Sequence, residues 1–226
     1  MSELKRIGIT QRVVYMEQID ERRDALDQRW HDFAGVVGLQ LVPIPNNIPD
    51  SARYAESMEL EGLIFSGGNN IGINGGTYLK DKNLQEHDVA LARDRTESNL
   101  LKWAMSRNKP LIGVCRGLQF INAFFGGNQS RIDADTHVAK EHMVQSRSAE
   151  WEAIYGESFQ VNSYHRWGIP VDMVGRSLTI TAVFDNHVEA VQHAGYALYG
   201  MMWHPERYQK FRNSDINFYK EKLGVL

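Results

Sequence analysis

Cysteine is almost missing from this sequence. Cys115 is the one thiol in 226 residues, which excludes an internal disulfide and a Cys-rich zinc site. A reducing compartment is the natural expectation. A basic surplus is missing too: 25 Lys and Arg stand against 28 Asp and Glu, a formal net charge of −3. General nucleic-acid binding normally needs such a surplus, so it is not expected. No apolar run approaches the ~18–20 residues of a membrane helix. The opening MSELKRIGIT lacks the long apolar core of a signal peptide. Internal repeats, low-complexity tracts and Ser/Gly linkers are also lacking. The expectation is one cytoplasmic domain over 1–226, with a core supplied by the 42% of residues that are hydrophobic.

What is there alternates. Arg6–Thr10 (RIGIT), Leu39–Ile44, Leu60–Phe65 and Pro110–Val114 read as short buried strands. Asp20–Gly35, residues 86–107 and Leu118–Phe125 have helical spacing. That order predicts an α/β fold, a three-layer α/β/α flavodoxin-like sheet. In the second half, 159–164, 177–184, 187–192 and 198–203 read as strands with little helix between them. They predict a sheet that is mostly parallel with antiparallel strands in the C-terminal half. Residues 214–223 read as a closing helix.

Cys115 lies in Gly113-Val114-Cys115-Arg116-Gly117, between a strand and a helix. This is the context of a nucleophile elbow, and the flanking glycines are expected to permit the sharp turn. A helix N-terminus favours a thiolate, and the Arg116 N–H would face an oxyanion. The competing reading is a buried structural cysteine, common for a free thiol. Trp203-His204-Pro205-Glu206 supplies a base and, two residues on, a carboxylate to orient it. Ser66-Gly67-Gly68 follows a strand and offers the Gly68 N–H as a second oxyanion donor. An ordinary Gly–Gly turn is the plainer alternative. All three segments fall at carboxyl ends of expected strands, where open α/β sheets bind ligands. His137 and His142 are five apart with no acidic or Cys ligand framing them, so no metal site is expected there.

Seven strings, in order, carry a resemblance: SGG at 66–68, DRTE at 94–97, KPLIGVCRGLQFIN at 109–122, GG at 126–127, VNSYH at 161–165, VEAV at 188–191 and GMMWHPE at 200–206. The chain resembles the class I glutamine amidotransferase-like superfamily, and within it the γ-glutamyl hydrolase branch, peptidase family C26. The resemblance implies a Cys115–His204–Glu206 triad and an oxyanion hole from Gly68 and Arg116. It also implies that Gln119, Asn162, Ser163, Tyr164 and His165 hold the glutamyl head. Two segments depart from the pattern: Asn69-Asn70-Ile71 after SGG, and Arg166-Trp167 after the Asn-Ser-Tyr-His loop.

These departures, with GITQR at 8–12 and ERRDALDQRW at 21–30, are similar to hydrolases that cleave γ-glutamyl-CDP-amidate in capsule polysaccharide biosynthesis. That narrower likeness implies hydrolysis of a γ-glutamyl amide on a nucleotide-linked phosphoramidate, releasing glutamate. Gln11 and Arg12, at the end of the first strand, are then better placed for the pyrophosphate than Arg22 or Arg23. Two alternatives stand beside it: a glutaminase chain supplying ammonia to a separate synthetase, and a γ-glutamyl peptide or γ-glutamyl-aminobutyrate hydrolase. The expected partner is a small γ-glutamyl substrate, without cofactor, metal, nucleic acid or membrane. A homodimer stays open.

Overall fold

Short apolar strands between amphipathic helices suit a sheet covered on both faces. The computed structural model describes residues 4–74, 77–78, 89–133 and 137–225. The first half holds β1 (Lys5–Thr10), β2 (Arg12–Met16), β3 (Glu21–Ala25), α1 (Arg29–Val37), β4 (Leu39–Ile44), α2 (Ser51–Ser57), β5 (Gly62–Phe65), β6 (Ile73–Asn74), β7 (Thr77–Tyr78), α3 (Leu91–Ser106), β8 (Leu111–Val114) and α4 (Arg116–Phe124). The second holds β9 (Ser130–Arg131), β10 (Val138–Ser146), α5 (Ala149–Tyr155), β11 (Ser158–Tyr164), β12 (Trp167–Gly168), β13 (Leu178–Phe184), β14 (His187–His193), β15 (Leu198–Met201) and α6 (Asn213–Lys222).

The main sheet has nine strands in the order β11-β10-β13-β14-β15-β8-β5-β1-β4. From β15 to β4 every neighbour is parallel. From β15 to β11 every neighbour is antiparallel. Because β13 and β11 turn back to the first direction, most strands still point one way, as expected. No helix among the described residues is long and apolar enough to cross a membrane.

Alternation along the strands divides the core. Ile7, Ile9, Ile64 and Val114 face one side, where Trp30 and Phe33 of α1, Trp151 of α5 and Phe218 of α6 close over them. Leu63, Phe65 and Leu111 face the other, under Ala55 of α2, Leu100 and Leu101 of α3, and Phe120 and Ile121 of α4. These are the two helical layers.

The helix expected over Asp20–Gly35 is corrected. Glu21–Ala25 is a strand, paired antiparallel with Arg12–Met16, and the helix begins only at Arg29. Helical spacing of Ala25, Leu26 and Trp30 misled, because the charged ERRD run forms the exposed arm of a hairpin. The long helix begins at Leu91, and 86–88 lie outside the described residues.

The glycines around Cys115 permit the sharp turn by lacking a Cβ, as expected. The left-handed backbone belongs to Cys115 itself, at φ 52°; neither Gly113 nor Gly117 has positive φ. They are small because the elbow is crowded. A Cβ on Gly117 would lie 2.2 Å from the Phe65 carbonyl oxygen, and one on Gly113 2.7 Å from the Gly117 carbonyl carbon. Gly117→Ala is therefore expected to destabilise the protein by at least about 2 kcal/mol. Gly35→Ala, in the exposed middle of α1 with open space around it, should stabilise it by ~0.5–1 kcal/mol. Urea unfolding checks both, and equal effects would refute the crowding.

Candidate active site

Three adjacent parallel strands deliver the central groups. Cys115 follows β8, Ser66-Gly67-Gly68 follow β5, and His204 comes three residues after β15. Cys115 caps α4 and donates its backbone N–H to the Met201 carbonyl at 2.8 Å, which ties the elbow to β15. A non-glycine residue at positive φ is strained and persists only where surroundings hold it. Arg116 occupies the first position of α4, where an N–H has no intrahelical acceptor.

His204 is held from four sides. Trp203 beside it is fully buried, with ring centres 5.9 Å from Trp151 and 5.5 Å from Tyr155 and Phe159. Asn162 brackets the His204 backbone: its Oδ1 accepts the His204 N–H at 2.8 Å, and its Nδ2 donates to the His204 carbonyl at 2.9 Å. The ring lies against Gly67, where a Cβ would come within 2.6 Å of Cε1. His204 Nδ1–H donates to Glu206 Oε1 at 2.7 Å. The Cys115 side chain borders the same cavity and acts on the ring electrostatically. Burial opposes the imidazolium, but the Glu206 and Cys115 charges outweigh it, and the pKa is pushed up to about 9.

A buried cation shapes the loop opposite. Arg93 of α3 donates from Nη1 to the carbonyls of Gly67 and Gly68, at 3.0 and 3.1 Å, and from Nη2 to that of Ser66 at 2.5 Å. In a trans peptide the N–H points opposite to the preceding C=O. With the Gly67 carbonyl turned to Arg93, the Gly68 N–H is turned away from it. Gly68 takes φ +87° to do so. Arg93 Nε is paired with Glu97 Oε1 at 2.8 Å, and Thr10 Oγ1 donates to the same oxygen at 2.7 Å. The Arg116 guanidinium, on the elbow, binds both Asp94 and Glu97.

These groups open onto a cavity of about 640 Å³. Gly68, Cys115, Arg116, Gln119 and His204 line it, with Tyr164, His165 and Arg12 on its walls. Glu206 sits behind His204. Three expected substrate residues are not brought to it. Gln11 spends its Nε2 on the Ile44 carbonyl at 3.1 Å. Asn162 is used up on His204. Ser163 is 1% exposed, beneath the wall. The β2–β3 hairpin forms the outer wall, with Val13, Val14 and Tyr15 lining the cavity. Asn69 clasps it by accepting from the Val13 N–H at 2.8 Å and donating to the Val13 carbonyl at 2.9 Å. Arg22 and Arg23 stand on the hairpin's other strand, and neither lines the cavity.

A family model described as Peptidase C26 matches residues 6–206. The chain belongs to the peptidase C26 family. Among the relatives of this C26 chain, γ-glutamyl-CDP-amidate hydrolase of Campylobacter jejuni subsp. jejuni serotype O:2 is 27% identical over 212 residues, 93% of this chain and 94% of that one. A glutamine-hydrolysing GMP synthase subunit of Methanococcus aeolicus is 26% identical over 167 residues, 72% of this chain and 73% of that one. The crystal structure of a glutamine amidotransferase from Thermotoga maritima superimposes with TM-score 0.61 at 13% identity, covering 99% of this chain and 85% of that one. It shares the fold.

Sequence reasoning missed several residues of the C26 site. The buried Arg93 was signalled only by the density of charge in RDRTE at 93–97. The Asn162 brace had no local signal, since its partner is 42 residues away. Arg207, which also lines the cavity, was hidden as an ordinary surface charge, whereas Arg166 lines it within the segment already marked as departing from the family pattern.

The His204 pairing has a pH signature. A histidine whose folded pKa of about 9 exceeds its ordinary ~6.5 contributes stability fully present below pH ~6.5 and lost as pH rises through the folded value. The stability gap between wild type and Glu206→Gln should therefore be widest below pH ~6.5 and narrow through pH 9. Urea unfolding across a pH series checks this, and a gap that widens with pH would refute the pairing.

Proposed function

We propose that this C26 chain is a cysteine hydrolase that cleaves a γ-glutamyl amide through a thioester on Cys115 and releases glutamate. The observation that carries it is His204, bonded to Glu206 and lining the same cavity as Cys115 at the end of the neighbouring strand. His204 takes the Cys115 thiol proton, which leaves a thiolate. The thiolate attacks the γ-carbonyl carbon, and the N–H groups of Gly68 and Arg116 receive the oxyanion, each worth ~3–4 kcal/mol in comparable sites. His204 gives its proton to the departing nitrogen and the C–N bond breaks. It then takes a proton from water, which attacks the thioester and frees glutamate and the thiolate.

The leaving group we propose is a nucleotide-linked phosphoramidate such as that of γ-glutamyl-CDP-amidate. Arg12, Arg166 and Arg207 line the cavity, against Glu17 alone among the described acidic residues. Guanidinium groups suit phosphate oxygens bidentately. The similarity to a γ-glutamyl-CDP-amidate hydrolase over nearly the whole chain supports the same substrate class. A second reading, a glutaminase chain serving a separate synthetase, draws on the similarity to the Methanococcus GMP synthase component.

A substrate panel separates the readings. γ-Glutamyl-CDP-amidate should exceed glutamine and γ-glutamyl peptides in kcat/KM. Arg12→Ala should raise KM roughly tenfold for the nucleotide substrate and leave glutamine nearly unchanged. Glutamine as the best substrate would favour the second reading. Cys115→Ala should abolish turnover, and a γ-glutamyl adduct trapped on any other residue would overturn the mechanism.

Arg93→Lys tests the loop. It should lower kcat roughly 10–100-fold while KM moves little, since the oxyanion donor acts in the transition state. An equal rise in KM would place Arg93 in substrate binding instead.

A further inference from the structure

A second buried cluster of titratable side chains lies beside the cavity, unused by the proposed reaction. His165 follows β11, His137 precedes β10 and Glu189 sits on β14. Their ligand atoms all lie within 4.8 Å of one another, and they are 4%, 4% and 1% exposed. His165 Nδ1–H donates to the Trp167 carbonyl at 3.0 Å, so its Nε2 carries a bare lone pair. That Nε2 lies 3.8 Å from Glu189 Oε1. Neither it, nor His137 Nδ1, nor either Glu189 oxygen makes a hydrogen bond among the described residues.

Such an arrangement is electrostatically one-sided. His165 Nε2 and His137 Nδ1 both face the Glu189 carboxyl group with no hydrogen-bond partner of their own among the described residues. Buried polar groups are normally paired, and a buried carboxylate costs most when it is not. His142 Nε2 approaches Glu189 Oε1 at 3.5 Å, longer than a hydrogen bond, while its ring stacks on Phe184. Two imidazoles and a carboxyl group converging in a dry site with these atoms unpaired are matched by a cation held between them.

We propose that His137, His165 and Glu189 bind one divalent cation of the zinc class through two imidazole nitrogens and one carboxylate oxygen. Nitrogen and oxygen donors together suit zinc and its transition-metal neighbours, whereas magnesium and calcium favour oxygen. Tetrahedral zinc bonds of ~2.0–2.2 Å put neighbouring ligand atoms ~3.4 Å apart, so the 3.8 Å pair needs only a few tenths of an ångström of closure. The His165 Nδ1–H bond to a backbone carbonyl is the support that metal-bound imidazoles generally have. Three protein ligands leave a fourth position. The cation would join the starts of β10 and β14 to the wall segment carrying His165 and Trp167. The pair considered from sequence, His137 with His142, is not the set the fold assembles. The acidic partner comes from Glu189, 52 residues beyond His137.

The test uses the full chain without a histidine tag, in a Cys115→Ala background so that the thiol cannot be the ligand. After chelator treatment, it is titrated with Zn²⁺ against a chromophoric competitor, with Co²⁺ for its visible spectrum and Mg²⁺ as the control. One equivalent of Zn²⁺ should bind and raise Tm, Co²⁺ should show ligand-field bands, and Mg²⁺ should do neither. Glu189→Gln and His137→Ala should each weaken Zn²⁺ at least roughly tenfold, while His31→Ala, on the exposed face of α1, should not. Absence of zinc binding in the parent would overturn the proposal without bearing on the Cys115 chemistry. Stoichiometric binding unchanged in both ligand variants would overturn it too.

Discussion

Four buried charges hold the elbow and the glycine loop in register. Arg93 and Arg116 are interleaved with Asp94 and Glu97, all essentially without solvent contact. Their formal charges cancel, yet removing them from water is costly, and buried ion pairs are weak evidence for stability. Their value is positional. Arg93 fixes three carbonyls of the loop after β5, Arg116 is the residue after Cys115, and Glu97 touches both guanidinium groups. Asp94 reaches further, accepting the Gly72 N–H at 2.7 Å. Burial and the neighbouring Arg116 lower Arg93 to about 10, which leaves it charged at neutral pH. Two segments far apart in sequence are thus set by one electrostatic unit on α3.

The same fold places histidines in opposite states. His204 has a carboxylate oxygen at 2.7 Å and is pushed up to about 9. His165 has its carboxylate neighbour at 3.8 Å and is lowered to about 3. Both are almost fully buried, so burial alone does not decide the outcome; partner geometry does. The first ring is fit to carry a proton and the second to offer a lone pair. In the proposed reaction, this division would let His165 stand on the cavity wall without competing for the proton assigned to His204.

What was legible in the sequence was whatever chain proximity encodes. The strand–turn–helix around Cys115 and the two-residue spacing of His204 and Glu206 are local, and both segments fall at strand ends as expected. The division of the sheet into parallel and antiparallel parts followed from alternation. The hairpin did not, because ERRDALDQRW has helical spacing on paper while its residues 21–25 form a charged, exposed strand arm. Gln11 and Asn162 were expected at the substrate because they lie in the right segments. In the fold their amides are used on Ile44 and His204, partners 33 and 42 residues away. The flanking glycines were legible as the residues that make room for the turn, but the strained φ on Cys115 itself was not. Long-range hydrogen-bond partners and close approach are set by tertiary packing, which no window of sequence displays.

Chemistry and selectivity are separately built here. The groups proposed for bond cleavage hang from β5, β8 and β15, rigid parallel strands in the middle of the sheet. The walls come from the β2–β3 hairpin and from the segment after β11, where the sequence also departs from the family pattern. Asn69 is the joint between the two systems. It follows the glycine loop directly and holds the hairpin through both polar groups of Val13. A residue without both a donor and an acceptor at that position would leave the hairpin unclasped, although the loop itself would stay on Arg93. Arg12, at the hairpin's root, packs its side chain over Gly68. It is exposed in the free protein, where water screens a lone guanidinium. Its pull on an anion becomes strong only once a substrate covers it and expels that water. In the proposed reaction, selectivity for an anionic leaving group would thus be coupled to closure over the glycine loop, since the arginine that would read the anion rests on the glycine that would hold the reacting oxygen.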